Sequence, residues 1–193
     1  MEALQTFFIR AKHWQIFIAF ATVTCAAVGA MLRSLMRSPQ EVFDHLLPFF
    51  VAMEVLAMLF AVWVWTLGIF LSAAVPPRLR MKQTFFRISA IFVPLYLPVF
   101  GVFSQSLKHP RNVALVLASF ALIIPLHFFA LFCQAYSSYF VSRALALLEN
   151  SRPVSFADYV GYFFAIWLFP IGVWIIQPRI NRFYADATRP LSS

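Results

Sequence analysis

Apolar runs long enough to cross a bilayer recur almost from one end of the chain to the other, separated by short polar stretches that hold most of its charges. A helix needs about 20 apolar residues to span the hydrocarbon core, so each run is a candidate span. The first covers 14–32 and follows Arg10 and Lys12. The second, 46–75, exceeds a simple crossing. It must tilt or begin in the interface near Pro48, and Pro76-Pro77 ends it. The third, 88–106, contains Pro94 and Pro98, which remove two amide donors from one helical stretch and predict a kink or a re-entrant hairpin. The fourth, 112–132, is uniformly apolar and stays helix-compatible to 150. The extension mixes Gln134, Ser137, Ser138 and Ser142 with Leu and Ala, which predicts an amphipathic helix leaving the bilayer or lying along it. Ser155-Phe156-Ala157-Asp158 has the shape of a capping box with Asp for Glu. It predicts a fifth helix over 159–176, kinked at Pro170 and Gly172.

The runs are apolar on every face rather than alternating, which excludes a spanning barrel and predicts an all-α, polytopic transmembrane helical bundle in a single domain, 1–193. Composition agrees. Hydrophobic residues make up 62% and charged residues 11% of the chain, against roughly 25% charged in a soluble domain, and mean hydropathy is +0.81. The formal charge of +8 sits in short clusters beside the runs. That placement reads as membrane topology and contact with anionic lipid, not as a nucleic-acid footprint. Arg78, Arg80, Lys82, Arg87, Arg179 and Arg182 are the candidates for headgroup contact.

Charge placement constrains topology without settling it. With five crossings and the N-terminus inside, Lys and Arg divide eight against seven of 15. Making either the Pro94/Pro98 run or the last run re-entrant gives eleven against four of the same 15. The positive-inside rule therefore favours both termini in the cytoplasm but leaves the broken segment open. The basic start and Val28-Gly29-Ala30 also have the outline of a signal peptide, and the first run reads better as a signal anchor.

The tail Phe169-Pro170-Ile171-Gly172-Val173-Trp174-Ile175-Ile176-Gln177-Pro178-Arg179-Ile180-Asn181 resembles the end of a group of small, uncharacterised polytopic bacterial inner-membrane proteins. Ala11-Lys12-His13-Trp14-Gln15 is similar to their beginnings. The resemblance implies a bacterial inner membrane and brings no active-site residues with it.

Ionisable groups at membrane depth cost a few kcal/mol and default to functional hypotheses, which singles out Glu54 and His127. Glu54 reads either as a protonated or interface-reaching acid, or as a proton or cation site. His127 reads as a structural imidazole bonded to the carbonyl that Pro125 leaves free one turn back, or as a proton relay. If the Pro94/Pro98 run does not cross, the two share the outer half of the bilayer and can pair. If it crosses, they lie roughly 10 Å or more apart in depth. Cys25 and Cys133 fall inside apolar runs and form no metal-ligand spacing. No hydrolase, metalloprotease or nucleotide-binding motif is present, so neither an enzyme nor a cofactor is expected.

Small residues recur at helical spacing at Thr22, Ala26, Gly29 and Ala30, and again at Gly161 and Ala165. Such faces allow close helix approach in lipid. The expectation is a non-enzymatic membrane protein acting through helix packing with itself, or as a small subunit of a larger membrane complex. A small oligomeric ion or proton channel or transporter is the alternative.

Overall fold

The computed structural model describes residues 2–37, 47–106 and 113–188. The described residues form seven α-helices: α1 (Glu2–Arg10), α2 (His13–Arg37), α3 (Leu47–Ala74), α4 (Thr84–Ser106), α5 (Val113–Asn150), α6 (Phe156–Trp167) and α7 (Ile171–Thr188). One 3-10 turn, Pro77–Leu79, joins α3 to α4. Helices α2, α3, α4 and α5 are each long and apolar enough to cross a membrane. Helices α6 and α7 reach that length only as a pair, and the pair is bent by 120°. The chain is an all-α, multi-pass integral membrane protein.

Proline does not break the third run. Helix α4 continues from Thr84 to Ser106 with Pro94 and Pro98 inside it, which overturns the re-entrant alternative there. It packs against α3 on one side and α5 on the other, the setting in which membrane helices tolerate missing backbone bonds.

The break comes instead at 168–170, where the expected fifth helix proves to be two. At 12 residues, α6 is about 18 Å long, short of the roughly 30 Å hydrocarbon core. The chain then folds back, with Gly172 on Ala165 and, further from the elbow, Arg179 on Tyr162. Those two pairings describe a V-shaped helical hairpin whose arms stay in contact beyond the elbow. A Cβ at position 172 would fall on the Ala165 carbonyl, so the close approach requires glycine. Pro170 and Gly172, expected to kink one helix, flank its reversal. The capping box is present, with the Ser155 amide donating to the Asp158 carboxylate at 2.7 Å.

Helix α5 also departs from expectation. Its 38 residues make about 57 Å, so one end must extend past the hydrocarbon core. The extension does not lie along the membrane. It is the most enclosed part of the helix, with Phe140, Val141, Ala144 and Leu145 fully buried between α3 and α6. Its serines look amphipathic in sequence, yet Ser138 donates to the Gln134 carbonyl and Ser142 to that of Tyr139, so this polarity is spent on the helix itself.

Packing is uneven along the bundle. The large core lies at the end where α1 sits and joins all seven helices, with Trp63, Phe86, Phe140, Leu145, Ile166 and Ile176 at its centre. Gly68 lets the Phe86 ring lie on the α3 backbone. A smaller cluster, Tyr96, Ile123 and Ala130, ties α4 to α5 further along.

Candidate functional site

Two arrangements of polar side chains stand out, a clamp at the α1 end and a cavity between the spans. Gln177 is the centre of the clamp and is fully buried. Its Nε2 donates to the carbonyls of Phe8 at 2.8 Å and Ala11 at 3.1 Å, and its Oε1 accepts from the Trp63 indole at 3.1 Å. Those carbonyls lie at the C-terminal end of α1, where a helix leaves its last C=O groups unpaired. One amide from α7 thus satisfies the end of α1 and the indole of α3. Asn181, one turn on, donates to the Ala11 carbonyl at 3.2 Å. Arg10 reaches the Tyr184 hydroxyl at 3.2 Å.

Beside the clamp, Arg179 donates to Glu149 at 2.7 Å and to the Tyr162 hydroxyl at 2.9 Å, while Tyr162 donates to Glu149 at 2.6 Å. This triangle pins both arms of the hairpin to the end of α5. Arg179 is therefore held by a carboxylate rather than presented alone to lipid phosphate. With Arg182 and Trp174 it lines an open groove of about 700 Å³. Among the other headgroup candidates, Arg80 caps the end of α3 through the Ala73 carbonyl at 3.1 Å, and Arg87 donates to Gln83 at 2.9 Å. Arg78 and Lys82 are exposed.

The cavity, of about 440 Å³, lies among α2, α3, α4 and α5, with Phe169 and Pro170 of the elbow in its wall. From α5 it is lined by His127, Ala130, Leu131, Gln134 and Ser137, and from α4 by Ser89, Ala90, Val93 and Tyr96. Both sets follow helical spacing, one face of each helix. The Tyr96 hydroxyl and His127 Nδ1 are 2.9 Å apart. Because the helices run antiparallel, that bond places Ser89 two turns away, level with Cys133 and Gln134 and roughly 10 Å along the axis, with Ser137 about one turn beyond. The Ser89 and Ser137 hydroxyls are fully buried, Ser89 against the Cys133 thiol and Ser137 without a hydrogen-bond partner. Among the described residues, no Lys, Arg, Asp or Glu lines this space.

No family model, curated protein or solved structure matches the chain.

The two intramembrane residues read from sequence are not brought together. His127 bonds across to Tyr96 rather than back to its own helix. Glu54 is half-buried on α3, outside the cavity wall, with Oε2 unpartnered. With α4 crossing, α5 runs in the sense that separates the pair in depth. Among the small residues, Thr22, Ala26 and Gly29 are exposed on α2 and Ala30 is half-buried, whereas Ile16, Phe20 and Ala27 turn inward. Gly161 is exposed, with open space where a Cβ would stand, and Ala165 is buried against the hairpin turn. Cys133 is buried and Cys25 exposed. His45, Lys108, His109, Arg111 and Arg189 lie outside the described residues.

Sequence reasoning missed Gln177, read only as the close of a helix, and Ser89 and Ser137. A signal for the first existed: an uncharged amide four residues before Asn181, at the end of an apolar run. Nothing local distinguishes Ser137 from Ser138, since only the tertiary setting decides which hydroxyl finds a backbone carbonyl. The tail and the start of α2 meet here, Gln177 and Asn181 closing on Ala11, and Trp174 packing at a tilt against His13 with ring centroids 4.4 Å apart.

Proposed function

We propose that this is a non-enzymatic protein of a bacterial inner membrane, with both termini in the cytoplasm. It acts through helix packing, with copies of itself or as a small subunit of a larger membrane complex. The observation that carries the reading is on α2. Its large side chains Ile16 and Phe20 pack inward, while Thr22, Ala26 and Gly29 present a face of small residues on the outside of the bundle. In lipid a small-residue face offers little as bulk and much as a surface for close helix approach.

Orientation follows from the hairpin. With α2 to α5 crossing and the last two helices folded back, only Arg33, Arg37, Lys108 and Arg111 of the 15 Lys and Arg residues fall on the outer side. The α1 end of the bundle, which holds the clamp, then faces the cytoplasm. The channel alternative has less to rest on, because His127 is engaged by Tyr96 and Glu54 lies outside the cavity wall.

The test is extraction of the full chain in a mild detergent, followed by native mass measurement and identification of co-purifying chains. A homo-oligomer or a defined complex is expected. A lone monomer at all protein concentrations overturns the reading.

A further inference from the structure

We propose that the outward face of α5, between α4 and α6, is a binding site for one anionic phospholipid, with Arg143 and the hydroxyls of Tyr136 and Tyr139 on its phosphate. The site requires neither assembly nor a particular orientation of the chain in the membrane.

The decisive feature is an arginine without a counter-charge. Arg143 is half-buried on α5, about two turns before the helix ends at Asn150. Its hydrogen bond goes to the Tyr139 hydroxyl, and the guanidinium carbon lies 5.8 Å from the centre of the same ring. Among the described residues no carboxylate pairs with it. The acids of α5 and α6, Glu149 and Asp158, are held by Arg179 at 2.7 Å and Arg152 at 3.1 Å, and α4 has no acid. A partly desolvated cation with no partner is a cost that a bound anion removes. Nε of Arg143 is enclosed, so an anion meets the outer Nη edge. Tyr136 lies within electrostatic reach of this guanidinium, and neither its hydroxyl nor that of Tyr139 donates a hydrogen bond among the described residues. Two O–H donors thus flank the cation.

The rest of the face suits an acyl chain. Phe129, Phe132, Tyr136, Tyr139 and Arg143 recur at alternating spacings of three and four, which is one lane of a helix. Their rings form a continuous ladder, with successive centroids 6.5, 6.4 and 5.8 Å apart. Phe129 is 40% and Phe132 54% exposed, so the apolar rungs face lipid. From Phe129 to Arg143 the helix rises roughly 21 Å, against about 15 Å for half the hydrocarbon core. A chain lying on the phenylalanines therefore brings its headgroup to the arginine. Phe85 of α4 meets the Tyr136 ring at 4.6 Å and Tyr159 of α6 meets the Tyr139 ring at 5.6 Å, which bounds the lane on both sides. Guanidinium and phenol groups both donate to phosphate oxygens, and the single charge of a phosphodiester matches the one unpaired cation. A choline or ethanolamine cation would find no free carboxylate here.

The test is native mass measurement of the full-length protein in mild detergent, titrated with phosphatidylglycerol, phosphatidylcholine or phosphatidylethanolamine of equal chain length. Saturable retention of one phosphatidylglycerol is expected, about tenfold tighter than either zwitterionic lipid, the worth of one hydrogen bond to a charged group. Soluble glycerol phosphate should not displace it, because it makes no contact with the phenylalanines. Arg143→Gln should abolish the preference. Tyr136→Phe, which removes only a hydroxyl, should weaken it about threefold and decides the matter if Arg143→Gln does not fold. Lys12→Gln, which removes an exposed cation at the same end of the bundle, should leave it unchanged. Equal retention of the three lipids, displacement by glycerol phosphate, or a preference that survives both Arg143→Gln and Tyr136→Phe overturns the proposal. So does an equal loss in Lys12→Gln, which would make the preference a matter of net charge.

Discussion

Replacing Gln177 by leucine should release α1 from the bundle. Leucine approximates the volume of glutamine but leaves the Trp63 indole N–H and the Phe8 carbonyl without partners, while Ala11 keeps its bond from Asn181. Each buried orphan costs about 1–3 kcal/mol, so the substitution should cost about 2–6 kcal/mol if the structure held rigid. It need not. Helix α1 is nine residues long, and its docking rests on Phe8, Ile9 and Ala11 in the core. Burying Phe8 and Ile9 is worth about 1.5–3 kcal/mol each before the entropy of ordering the segment is subtracted. The docking energy is thus of the same order as the penalty, and undocking is the cheaper response. A free nine-residue helix is too short to persist. Amide hydrogen exchange over residues 2–10 should therefore accelerate strongly in Gln177→Leu, with α3 to α5 little changed. A Trp63→Phe, Gln177→Leu cycle should show at least about 1 kcal/mol of coupling, the double variant costing less than the sum of the singles. Additive costs, or unaltered protection of α1, would refute the clamp.

Four further outcomes are expected. Gly172→Ala should lower thermal stability in detergent by about 1–3 kcal/mol through the clash with the Ala165 carbonyl, whereas Gly161→Ala should be neutral or stabilising by up to about 1 kcal/mol; equal effects would remove the close-approach argument. Tyr162→Phe should cost about 1 kcal/mol in thermal stability by removing one corner of the Arg179–Glu149 triangle, and no loss would mean that the triangle does not hold the hairpin. In a background lacking Cys25 and Cys133, Lys12→Cys and Asp186→Cys should react with an impermeant thiol reagent only after permeabilisation, and Arg33→Cys in intact cells; labelling of the first two from outside would invert the topology. Ala26→Leu and Gly29→Leu should loosen assembly on native mass measurement while Ile18→Leu does not. Phe17, which packs edge-on against Trp174 with centroids 5.6 Å apart, would be an unsuitable control, and identical behaviour of all three variants would discard the α2 face.

Fold class was legible in the sequence because the membrane imposes it: a run that is apolar on every face for about 20 residues has one satisfactory backbone conformation in lipid. The same uniformity hides tertiary detail. The extension of α5 shows why. Its serines and its alternation with Leu and Ala have the composition of a surface helix, yet Ser138 and Ser142 turn their hydroxyls onto their own backbone and the face that carries them enters the core. A periodicity argument assigns a serine to water, whereas a helix can absorb that serine internally at little cost. The candidate site was hidden for a related reason. Glu54 and His127 drew attention as rare ionisable groups, but Glu54 lies outside the cavity wall and His127 enters it through a bond to Tyr96 that no spacing along the chain foretells.

Proline and charge together left one question that only packing answers. Both re-entrant placements divide the 15 Lys and Arg residues in the same eleven-to-four ratio, and the Pro94/Pro98 run carries two prolines where the last run carries one, Pro170. Counting breakers would choose the wrong segment. A proline removes its own N–H and crowds one carbonyl, a defect that neighbouring helices absorb, and α4 has neighbours on two sides, α3 and α5. A reversal needs more than a missing bond. It needs a position where two helices can touch backbone to backbone, and Gly172 supplies that against Ala165. It also needs a tether for the returning arm, and Arg179 supplies that at Glu149 and Tyr162. The hairpin is thus determined by what holds its arms together, and the elbow then places Phe169 and Pro170 in the wall of the cavity. Opening the hairpin should therefore disturb the wall of that cavity as well as the clamp, which couples the two polar arrangements through one turn of chain.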